Sequence, residues 1–192
     1  MKALSSWICL SALFLFVACG GGSSDSAPSS QVDSTASNPA KDSLSDLRSF
    51  SNAILNDGLA PGDNALTLMC LDSLLSPVRS VRDHYFSVFL VICAKADGVL
   101  TELVSATGLD YIEQFPEEAL GRVKELPDVD REMLSERLAY DFYASGGQIK
   151  SDVNEYFQDI EKAVSPELAS VATGLKKSII EDAQELKDLE QE

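Results

Sequence analysis

Histidine is almost missing from this chain. His84 stands alone, and the four cysteines, Cys9, Cys19, Cys70 and Cys93, lack the close ligand spacing of a zinc site. A catalytic base needs a positioned partner, yet no Gly-x-Ser-x-Gly elbow or companion motif accompanies His84, which is therefore expected to be a partly exposed helix residue. Tryptophan occurs once, as Trp7 near the amino terminus, so a broad aromatic platform for sugars is disfavoured. Basic residues are scarce as well. Fifteen Lys and Arg face thirty-one Asp and Glu, a net charge of -16. Such a field repels phosphate backbones and anionic headgroups, which argues against nucleic acid as a ligand and leaves basic protein partners compatible. Long apolar runs are also absent. The two richest, Ile8 to Val17 and Tyr85 to Ala94, fall short of the roughly 20 residues a helix needs to cross a bilayer.

What is present begins with an address. Lys2 precedes the apolar run that ends at Val17, a secretory leader to be set apart from the fold. The junction Phe16-Val17-Ala18-Cys19 resembles the lipobox of bacterial lipoproteins, although Phe16 stands where that family prefers Leu. The resemblance implies residues 1-18 as signal peptide, diacylation of Cys19, and a mature chain starting there. It further implies, from Gly20 in place of an Asp, the outer membrane over the inner. Loss of Lys2 with the leader would leave fourteen basic against thirty-one acidic residues, or -17.

Residues 19-41 carry Ser, Gly, Ala, Asp, Asn and Pro, with Val32 the one sizeable aliphatic side chain. That composition predicts a disordered tether spanning on the order of 25 Å. From Asp42 to Glu192 the hydrophobic period is helical, and the expectation is a single all-α bundle domain of about seven or eight helices. Helices are expected over Asp42–Asn56, Asn64–Ser76, Val78–Ala96, Val99–Thr107, Pro116–Leu126, Asp128–Ser145 and Ile149–Val164, with another turn or two over Asp110–Phe115 and a last helix following the Ser165 cap and Pro166. Gly108 is expected to close the fourth of these. The run Tyr85 to Ala94 is expected to form the central buried helix.

Three motifs bear on chemistry. Asp128, Asp130 and Glu132 alternate like the start of a calcium loop, but Met133 and Ala139 occupy its glycine and final carboxylate positions, so they read as an acidic helix start. The string Ala94-Lys95-Ala96-Asp97-Gly98-Val99-Leu100-Thr101-Glu102 resembles a step of TerB-like helical domains, which implies a metal-linked role for Asp97 and Glu102. Cys70 and Cys93 could be bridged in an exported protein. A tight hairpin turning at Pro77 sets them about 13 Å apart along the axes, so a disulfide is not favoured.

No cofactor, metal or catalytic set is specified, and the chain reads as a non-enzyme. Its expected role is a protein-binding or scaffolding module held to the cell envelope by the Cys19 lipid. A small-ligand or metal-binding helical domain, and after it an enzyme, are the alternatives.

Overall fold

The computed structural model describes residues 39–191, and among them the chain is entirely helical and loop, without a strand. Eight helices follow in order: α1 Pro39–Asn56, α2 Ala65–Leu74, α3 Arg79–Lys95, α4 Gly98–Gln114, α5 Pro116–Glu125, α6 Asp128–Ala144, α7 Ile149–Ala163 and α8 Pro166–Leu189. None is long and apolar enough to cross a membrane. Cys19, the leader and nearly all of the expected tether lie outside the described residues.

Local chemistry explains most of the boundaries. The Asn64 side chain accepts from the backbone N–H groups of Leu66 and Thr67, both at 3.1 Å, and so starts α2. Pro116 and Pro166 sit in the first turns of α5 and α8, where a missing N–H costs nothing. Asp128 and Asp130 open α6, where the helix dipole favours acids. Ser165 departs from expectation, because its side chain makes no cap. Its backbone N–H instead donates to Glu117 Oε1 at 2.8 Å, which ties the start of α8 to α5.

Gly108 also departs from expectation. It does not close a helix: α4 runs through it without a break from Gly98 to Gln114. The reason is close approach. A Cβ built on Gly108 would lie 2.5 Å from Leu138 Cδ2 and 3.0 Å from the Phe89 ring, so the glycine lets α4 press onto α6 and α3. The true corner is Asp97-Gly98, where Gly98 has φ +46°. Gly108→Ala is expected to lose about 1–3 kcal/mol through overpacking, partly offset by helix propensity. Gly174→Ala in α8, where nothing lies within 4 Å of the added methyl, should gain about 0.5–1 kcal/mol. Urea unfolding of the two variants, which should move in opposite directions, checks the assignment.

The core takes one face from every helix. From α3 it takes Tyr85, Phe86, Val88, Phe89, Ile92 and Cys93, while Ser87 and Ala94 are exposed and Leu90 and Val91 half-buried. α3 is thus buried on one broad face rather than all round. A second packing centre is α8, which lies against both α6 and α7. Its buried positions are Leu168, Ala172, Leu175, Ile179 and Ala183. Leu186 and Leu189, farther along the helix, leave the core: Leu186 is half-buried and Leu189 is 62% exposed. On α2, Leu71 and Leu74 lie inside and Leu68 and Met69 outside.

Candidate functional site

Two polar features stand out, one inside the domain and one on its surface. The inner one joins α3, α4 and α5. Arg82, on the buried face of α3, donates from Nε to Glu118 Oε1 at 3.0 Å and from Nη2 to Glu118 Oε2 at 2.6 Å. Its Nη1 donates to the Ser76 carbonyl at 2.6 Å, and its guanidinium lies 3.8 Å from the centroid of the Phe115 ring. The Tyr111 hydroxyl donates to the same Glu118 Oε1 at 2.9 Å. Arg122 bridges Asp83 and Glu118 at the edge of the cluster.

The electrostatics follow from the geometry. Arg82 holds the Glu118 carboxyl well below the usual range, at about 2, against the opposing effect of burial and with help from Tyr111. Burial, and then the hydrogen bond its hydroxyl donates to Glu118, raise the Tyr111 pKa. The cluster is closed on itself, since Arg82 and Glu118 side chains are only 7% and 12% exposed. Its chemistry is that of a clasp: a forked donor meets a forked acceptor and three helices are tied together.

His84 is occupied elsewhere. Its Nε2 lies 2.9 Å from Ser51 Oγ, while the Ser51 hydroxyl donates to the Arg48 carbonyl at 3.0 Å. The Ser51 hydroxyl thus lies between the Arg48 carbonyl and the His84 ring, which it joins as a buried structural link. Ser51 is wholly buried, and burial followed by the Arg48 charge lowers the His84 pKa. The pair links α1 to α3.

The remaining sequence candidates are dispersed. Cys70 and Cys93 are free and buried. Burial pushes the Cys70 thiol to about 11 and raises that of Cys93 as well, which makes both poor nucleophiles. Asp97 and Glu102 are exposed, and among the described residues no group of three or more His, Cys, Asp and Glu is placed to hold a metal ion. Asp128 pairs with Arg131 within the first turn of α6. Glu161 is half-buried, accepts from Lys176 Nζ at 2.6 Å and from Thr173 at 3.0 Å, and so fastens α7 to α8.

The surface feature was not legible as a site in advance. A cleft of about 220 Å³ lies between α6 and the C-terminal half of α8, with Glu136, Arg137 and Tyr140 on one wall and Asp182 and Glu185 on the other. A second, of about 500 Å³, lies across α8 beside Lys150, Glu181 and Asp188. The two share Glu185 and Leu189. The one local signal is that Asp182, Glu185 and Asp188 recur at three-residue steps, so that like charges share one side of α8.

No protein-family model, curated protein or solved structure matches this chain.

Proposed function

We propose that this chain is a lipid-anchored binding module of the bacterial cell envelope, and that its partner is a protein carrying lysine and arginine. The observation that supports it most is the surface of α8, where two open clefts meet and where aliphatic and acidic side chains alternate. Protein interfaces combine an apolar centre with a polar rim, and the exposed Leu189 beside Glu185 and Asp188 has that character. The net charge of -16 would steer a basic partner toward it. Attachment to the membrane rests on Phe16-Val17-Ala18-Cys19.

The test uses the full chain in its own membranes, with a photo-crosslinking residue placed singly at four exposed apolar positions, Leu68, Val99, Val129 and Leu189. The expected result is a discrete protein adduct from at least one position, with a yield that falls several-fold between low and physiological salt. Absence of a protein adduct at all four positions, or a yield indifferent to salt, would count against the reading.

A further inference from the structure

α1 is held to the domain differently from the helices that follow α2. The clasp ties α3, α4 and α5 through charge, and Glu117 and Lys124 of α5 reach Ser165 and Glu167 at the start of α8. Glu161 fastens α7 to α8, and the Tyr156 hydroxyl of α7 donates to the Leu109 carbonyl of α4. Among the described residues α1 enters no ion pair, and its side-chain hydrogen bond to another helix is the one between Ser51 and His84. Otherwise it rests on α2 and α3 through buried Leu47 and Ile54 and half-buried Phe50 and Leu55.

The polar contact in that interface involves the only histidine of the chain, the one side chain whose ordinary pKa falls between pH 5 and 8. Ser51 is wholly buried and the His84 ring half-buried. From α1 the ring meets Ser51 and the charge of Arg48. On α3 it lies edge-on to Tyr85, with ring centroids 4.9 Å apart, and α2 presents only the uncharged Cys70 and Ser73 to that tyrosine. The preceding residue, Asp83, is paired with Arg122 of α5. Among the described residues Arg48 is thus the one charge that acts on the ring, and it has the sign of an imidazolium.

An imidazolium can still donate to Ser51 Oγ, so the cost of charging the ring comes from its surroundings. It gives up water, and it stands beside a like charge without a carboxylate to offset either loss. Burial, and then Arg48, accordingly lower the His84 pKa from 6.5 while α1 is in place. The docked state is therefore favoured in full above about pH 6.5, and that advantage is lost as pH falls through the lowered value, by tenfold for each unit of depression.

We infer that the Ser51–His84 contact is an acid-sensitive latch: when His84 takes up a proton, α1 comes away from α2 and α3 more often while α4 to α8 stay packed. The latch does not depend on the binding-module reading. On the lipid-anchored reading α1 is the joint between tether and domain, and its release lets the domain turn on its anchor.

Hydrogen exchange of the full chain in detergent micelles, at pH 7.5 and 5.5 and corrected for the intrinsic pH dependence of the exchange rate, reads the opening of α1 through peptides covering residues 46–56. The expected result is at least a twofold loss of protection in α1 at the lower pH, with α6 and α8 unchanged. His84→Gln, whose amide keeps a partner for Ser51 without titrating, should abolish the pH dependence, and Arg48→Gln should reduce it. Equal losses in α1, α6 and α8 would show general acid unfolding, and a loss that persists in His84→Gln would place the titrating group elsewhere; either overturns the inference, as does protection of α1 indifferent to pH. Should His84→Gln loosen α1 at both pH values, the unsubstituted protein decides, because a lone histidine gives one set of ring resonances. Their midpoint must lie below 6.5, with α1 protection falling between 6.5 and that midpoint. A ring that titrates at or above 6.5 sinks the latch.

Discussion

Glu118→Ala is expected to destabilise the domain by about 3–5 kcal/mol, the usual cost of stranding one member of a buried ion pair. Arg82 would keep the Ser76 carbonyl and the Phe115 ring but lose both carboxylate bonds, and the Tyr111 hydroxyl would lose its acceptor. Asp83→Ala, at a carboxylate 52% exposed, should cost less than about 1 kcal/mol. Replacing both Arg82 and Glu118 by leucine should be milder than Glu118→Ala, since no charge is then left buried. Urea unfolding at pH 7 of the four proteins measures all of this. A loss below about 1 kcal/mol for Glu118→Ala would remove the clasp from the account of stability.

The same carboxylate predicts a pH dependence. Its folded pKa is depressed from 4.5 to about 2, so its contribution is fully present above pH 4.5 and is lost as pH falls toward 2. The shift corresponds to about 3 kcal/mol. With Glu118 only 12% exposed, solvent screening removes little of it. The difference in stability between the native protein and Glu118→Ala should therefore shrink between pH 5 and pH 2.5, and a difference constant across that window would contradict the assignment.

Cys19→Ala is expected to abolish membrane association altogether. None of the described helices can span a bilayer, and a strongly acidic chain is repelled by anionic headgroups. On the lipobox reading proposed above, attachment rests on acyl chains at Cys19, each buried methylene of which contributes about 0.8 kcal/mol, so that two long chains hold firmly. Detergent-phase partitioning and the mass of the mature chain report the outcome. Mature-size protein that stays in the membrane fraction after the substitution would refute the lipobox reading.

Much of the domain could be read from the residues because helix signals are local. The stops and starts at Asn64, Pro116, Asp128 and Pro166 each act within one turn, so α2, α5, α6 and α8 begin at or within a residue of where those side chains place them. α1 begins at Pro39, three residues before the expected Asp42. The failures share one cause. Gly108 carries the local mark of a terminus, yet its use is a contact with Leu138, thirty positions later in the chain. Leu186 and Leu189 carry the mark of a core stripe, yet they line an open cleft against α6 instead of entering the core.

The candidate sites divide along the same line. A lone histidine, scattered cysteines and unpaired acids were enough to withhold a catalytic reading, since each such chemistry needs several groups at known spacing. Arg82 and Glu118 are 36 positions apart, and nothing near either one announces that the two will be buried together. The acids of α8 look like any solvated face until Glu136 and Arg137 of α6 are set opposite them. From its residues alone this chain determined its helical class and most of its helix boundaries, because periodicity, capping and proline act over a few neighbouring residues. Tertiary structure decided which charges are buried, where α4 may touch α6, and which face of α8 becomes a cleft, because those outcomes depend on pairings between helices distant in sequence.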